Sequence, residues 1–170
     1  MKEESPMKVA DKVKTIEDYI YVKNHIPIKL CKELIDECNK KEWEKHTWYN
    51  NSTKETTSES TKELDIMYCT QRQQNKISPY LLEVITEYQS KHSWPGENTK
   101  PPWLSNFSPI RFNKYEVGNT MRLHYDNIHS IFDGEMKGIP IISIVGNLNE
   151  DYAGAEFMIR DKEIKLKTGD

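Results

Sequence analysis

A chain of 170 residues fits one domain and is long enough to bury a sizeable core. Its 36% apolar and 30% charged residues make it polar, but an aromatic content of 10%, with four tryptophans, excludes a disordered chain. A net charge of -3 excludes a global basic field for non-specific nucleic-acid binding, and no apolar stretch approaches the length of a membrane span.

The leader "MKEESPMKVADKVK" has no apolar core of the kind a signal peptide carries. Cys31, Cys38 and Cys69 are odd in number and lack CxxC spacing, which fits reduced thiols and a cytoplasmic location. "DYIYVKN" is expected as a strand. In "IPIKLCKELIDECNKKEW" the spacing of Leu30, Cys31, Leu34, Ile35 and Cys38 predicts an amphipathic helix. Asn50 to Glu63 is almost wholly polar and is expected to be a mobile loop, a candidate lid, ahead of the strand "LDIMYC". A second helix is expected from Ser78 as N-cap, with Pro79 at its first position and Leu81, Leu82, Ile85 and Tyr88 on its apolar face. "SWPGENTKPPW" then breaks regularity.

From Ser108 onward the pattern is of short strands, "PIRFNKYEV", "TMRLHYD", "IPIISIVGNL", "AEFMIR" and "EIKLKT", separated by turn chemistry. Helices followed by closely spaced strands give an α+β class, helices packing on one face of a largely antiparallel sheet. The expected organisation is a single domain, with 1-106 as support and 107-170 as the start of a β core.

"MRLHYDN" carries a histidine and an aspartate two positions apart. On a strand, Arg122, His124 and Asp126 project to one face and Met121, Leu123 and Tyr125 to the other. Imidazole and carboxylate on one face are a metal-ligand pair in outline, and equally a solvated His–Asp hydrogen bond at a strand end. Arg122 meets water or an acidic group. The cluster "WEKHTWYNN" offers Trp43, His46, Trp48 and Tyr49 as core or as a wall facing a substrate.

With its surroundings, "RFNKYEVGNTMRLHYDN" resembles the strand that opens the iron-binding core of 2-oxoglutarate- and Fe(II)-dependent oxygenases, in particular the prolyl 4-hydroxylase-like branch. Tyr115 and Gly118 stand where that family has a tyrosine and a glycine before its HxD. "IISIVGNLNEDYAGAEFMI" resembles the family's hydrophobic strand, Leu-Asn turn and Gly-Gly-Glu segment, and "KLKTGD" its Lys-x-Gly-Asp turn. The sequence departs from the pattern at Met121, often a tyrosine there, and at Ala155, the second glycine of Gly-Gly-Glu.

The resemblance implies a double-stranded β-helix, or jelly-roll, core with N-terminal supporting helices. It implies His124 and Asp126 as Fe(II) ligands, Tyr115 and Asn147 as contacts to 2-oxoglutarate, and ascorbate as a further cofactor. The reaction implied consumes dioxygen and decarboxylates 2-oxoglutarate to succinate while hydroxylating a C–H bond, a prolyl residue of a peptide or protein being the expected substrate. Neither a nucleic acid nor a membrane is an expected partner.

The family's second iron histidine and the basic residue that grips the far carboxylate of 2-oxoglutarate lie after the Gly-Asp turn, past Asp170. The expectation is that the native chain continues, or that another molecule covers the edge left by "EIKLKTGD". His25, His46, His92 and His129 stand elsewhere, His129 closing a local HxDxxH. A catalytically silent jelly-roll that binds without turnover, and an oxygenase acting on a free amino acid or other small molecule, are the alternative functions.

Overall fold

The structure is a computed structural model that describes residues 15–50, 53–58, 62–92, 107–126 and 142–170. Helix α1 runs over Ile28–Cys38 and buries Cys31, Leu34 and Cys38, the stripe the sequence spacing predicts. Helix α2 runs over Gln71–Lys91. It begins seven residues before the expected Ser78, because Thr70 forms a capping box with Gln73 and holds Pro79 inside the helix instead of at its start. Ser78 turns its hydroxyl to the Gln74 carbonyl at 2.8 Å. The Lys76 ammonium ties the helices together, donating to Glu33 at 2.5 Å and Glu37 at 2.8 Å.

The expected strand in "DYIYVKN" is absent: a 3-10 turn at Ile16–Tyr19 is followed by chain outside any ladder. Its partner is the side of α2, which offers side chains and no free backbone edge. Tyr21 and Lys23 both reach Glu87 at 2.5 Å, and His25 lies 3.1 Å from Glu83 and edge-on to Tyr80.

Strands β1 (Glu44–Lys45), β4 (Asp65–Tyr68) and β5 (Arg111–Lys114) form one antiparallel sheet in the order β1-β4-β5. Lys45 and Lys114 flank Asp65 in register and both pair with its carboxylate, at 2.7 and 3.3 Å. Phe112 and Met67, also paired in register, pack into the core with Leu34, Cys38, Ile77, Leu81 and Leu148. Residues on both sides of the expected 106/107 division therefore share one core.

Strands β2 (Trp48–Asn50) and β3 (Glu55–Thr57) form a hairpin that reaches from Trp48 into the run Asn50 to Glu63 expected to be a mobile loop. Backbone and turn chemistry build it: Lys54 takes a φ of 61° and donates to the Asn50 carbonyl at 2.8 Å. A further hairpin joins β6 (Met158–Ile159) to β7 (Lys162–Glu163), shorter than the two strands expected there. The described parts of "TMRLHYD" and "IPIISIVGNL" carry no ladder; their ties are single backbone bonds and side chains. The described residues are thus α+β, with small antiparallel sheets in place of a closed jelly-roll. Among them no helix is long and apolar enough to cross a membrane.

The Gly169 turn fastens the last residues to the beginning of the described chain. Gly169 takes a φ of +93°, and its carbonyl accepts from the His25 and Ile26 amides at 2.8 and 2.9 Å. Its own amide donates to the Asn147 carbonyl at 2.8 Å, and the Asn147 amide donates to Asp170 at 2.8 Å.

Candidate metal centre

A turn at Glu116–Asn119 sends the chain back from β5. The Asn119 amide donates to the Glu116 carbonyl at 2.9 Å, and Gly118, at a φ of 89°, supplies the left-handed third residue such a turn needs. The returning chain runs beside Lys62 and Glu63: the Thr120 amide donates to the Lys62 carbonyl at 3.0 Å, and Arg122 pairs with Glu63 at 3.0 Å.

Two residues on, His124 Nε2 and Asp126 Oδ1 lie 3.1 Å apart, both side chains partly open to solvent. His124 Nδ1 is 2.7 Å from the Arg122 carbonyl oxygen. A carbonyl only accepts, so Nδ1 carries the proton, and in the neutral ring the Nε2 lone pair faces the carboxylate. The other carboxylate oxygen, Oδ2, accepts from the Ser143 hydroxyl at 2.5 Å. Two electron-rich atoms therefore converge, which calls for a proton on Nε2 or a cation shared between them. A separation of 3.1 Å suits both.

The outer contacts hold both side chains in place; a metal-binding imidazole ordinarily donates its other N–H to a carbonyl or carboxylate in this way, and so does a histidine in a plain His–Asp hydrogen bond. Ser143 was not singled out by the sequence reading. Its signal is visible afterwards as a hydroxyl within an apolar run.

Tyr115 and Asn147 make no hydrogen bond, ion pair or ring contact with the pair among the described residues. Burial pushes the Tyr115 phenol above its ordinary range, with the Arg111 guanidinium working the other way. The side chain as a whole is 42% exposed, so that burial affects only part of it. Asn147 is held by the Gly169 turn through its backbone and donates its side-chain amide to the Asn149 carbonyl at 2.9 Å.

Trp48 separates two histidines: its ring meets His46 at 4.7 Å and His124 at 5.4 Å, edge-on in both cases. Trp43 packs against the core, whereas Tyr49 is exposed. His25 is engaged by Glu83 and Tyr80, and His92 stacks on Tyr19 and meets the Tyr88 ring at a tilt. His129 lies outside the described residues. Among those described, no group of three or more His, Cys, Asp or Glu side chains could hold a metal ion, and His124 and Asp126 stand as a pair.

Comparison with family models finds no match to this chain, and comparisons with curated proteins and with solved structures find none either.

Proposed function

We propose that the chain is a 2-oxoglutarate- and Fe(II)-dependent oxygenase similar to prolyl 4-hydroxylases, its residues 107–170 belonging to the first part of a jelly-roll core. The substrate class favoured by the resemblance is a prolyl residue of a peptide or protein. The observation that carries the reading is the approach of His124 Nε2 to Asp126 Oδ1 at 3.1 Å, with Nδ1 and Oδ2 already held by Arg122 and Ser143. Turn geometry supports it: Gly154 and Ala155 both have positive φ, 81° and 55°, the conformation that a Gly-Gly pair adopts without strain.

In this reading His124 and Asp126 hold the iron, and Tyr115 and Asn147 contact 2-oxoglutarate. When bound, iron would activate dioxygen, which is the oxidant, while 2-oxoglutarate would be the co-substrate oxidised to succinate and CO2. The chain's own work is to orient the imidazole through its Nδ1–H and to leave Oδ1 available by occupying Oδ2.

The same 3.1 Å separation also suits an imidazolium–carboxylate pair in a silent binding domain, and the two readings differ toward metal. Titration with Mn(II), followed by its electron paramagnetic resonance, is expected to show one site that Asp126→Ala and His124→Ala each weaken at least about tenfold. Prolyl-peptide-stimulated succinate release would extend the result to turnover. Mn(II) binding unchanged in Asp126→Ala would overturn the metal assignment.

A further inference from the structure

Glu63 is only 1% exposed. Burying a carboxylate costs several kcal/mol unless its oxygens are paired and hydrogen-bonded, so its partners reveal why it is there. Oε2 accepts the Trp48 indole N–H at 2.9 Å, and Oε1 accepts from the Arg122 guanidinium at 3.0 Å. His46, itself 7% exposed, places Nδ1 3.7 Å from Oε2, in ion-pair range but beyond a hydrogen bond; that nitrogen has no hydrogen-bond partner among the described residues.

Two of these contacts lead to His124. The carbonyl of Arg122 takes the His124 Nδ1–H at 2.7 Å, and the Trp48 ring meets the His124 ring edge-on. Arg122 also lies over the Trp48 ring at 5.5 Å, so both groups that Glu63 holds touch each other. The stretch from Met121 to Asp126 has no ladder of its own. Its backbone tie to the neighbouring chain is at Thr120, and the Glu63–Arg122 pair is the next hold toward His124.

We propose that Glu63 is the positioning residue of the metal pair. By clamping the Arg122 guanidinium and the Trp48 indole it fixes the Arg122 carbonyl, and through that carbonyl the tautomer and ring angle that aim His124 Nε2 at Asp126. Charge and placement both matter: the carboxylate must be anionic to hold Arg122, and its burial keeps water from the Glu63 end of the pair. The role rests on the metal reading above, but the state of the His124 ring can be read without metal.

The test compares the wild-type chain with Glu63→Gln, Arg122→Gln and the double variant, using two readouts. Long-range 1H–15N NMR of the His124 ring in alkaline buffer, without metal, reports which nitrogen carries the proton. Co(II) titration, followed by the visible spectrum, reports affinity and geometry. In the wild type the proton is expected on Nδ1. Each single variant is expected to give a mixture of tautomers and to bind Co(II) about 10- to 100-fold more weakly, the usual effect of losing an outer-sphere partner. The double variant is expected to be no weaker than the worse single variant, because the two residues act through one contact.

A Glu63→Gln protein that unfolds more easily but keeps the wild-type tautomer and Co(II) affinity would overturn the proposal. Should that variant not fold, Arg122→Gln, altered at a side chain 44% exposed, decides by the same two readouts. If the wild type shows no Co(II) binding that depends on His124, the metal reading falls, and the tautomer comparison still decides whether Glu63 sets the ring.

Discussion

At the scale of single residues, the buried His46 makes stability depend on pH. Burial holds its imidazole below the ordinary value of 6.5, with a further push from the Arg111 charge and an opposing pull from Glu63. The unfolded chain therefore binds this proton more readily than the folded one. The contribution of His46 is fully present above about pH 6.5 and is lost as pH falls from there toward the lowered folded value. Urea unfolding at several pH values is expected to show wild-type stability declining through that window. His46→Gln should decline less steeply, and equal slopes would remove His46 as the cause. Cys38 and Cys69 are, by contrast, pushed up to about 11 by burial, which keeps them thiols at neutral pH and poor nucleophiles.

At the scale of elements, the start of α2 rests on Thr70. Thr70→Ala removes the side-chain half of the capping box and is expected to cost about 1 kcal/mol, read as a lower urea midpoint at unchanged slope. A helix beginning at Ser78 would leave that substitution without effect. α1 was legible because Leu30, Cys31, Leu34 and Cys38 repeat at helical spacing around a buried stripe. The first two turns of α2 were not, since Gln71 to Lys76 carry no apolar period and Pro79 imitates a helix start. The β2–β3 hairpin was illegible for a related reason: its side chains are mostly exposed and polar, so only the turn at Lys54 marks it. For the site, HxD announces itself by residue type. Glu63 does not, because a glutamate at the end of a polar run reads as surface until Trp48 and Arg122 are found on its oxygens.

At the scale of the whole molecule, the Gly169 turn joins distant segments. A Cβ at this position would clash with the Ile26 carbonyl, and a φ of +93° is strained for any residue with a side chain. Gly169→Ala is expected to destabilise by roughly 3 kcal/mol or more, combining about 1–3 kcal/mol of backbone strain with hydrogen bonds worth about 1 kcal/mol each. Thermal unfolding measures it; a shift no larger than that of Thr70→Ala would show that the turn yields without loss.

That fastening also sets a timetable. Asn24 bonds to the Thr168 carbonyl across 144 positions of sequence, and to Asp170 across 146. During synthesis from the N-terminus, Asn24 to Ile26 leave the ribosome long before their partners exist, whereas α1 and α2 lie close enough in sequence to pair early. The side chains of Tyr21, Lys23 and His25 meet α2 earlier, but the backbone of His25 and Ile26 is tied only when the Gly169 turn arrives. The His25 and Ile26 amides are reporters of that turn's opening: their hydrogen exchange tracks its release while the helix pair stays closed.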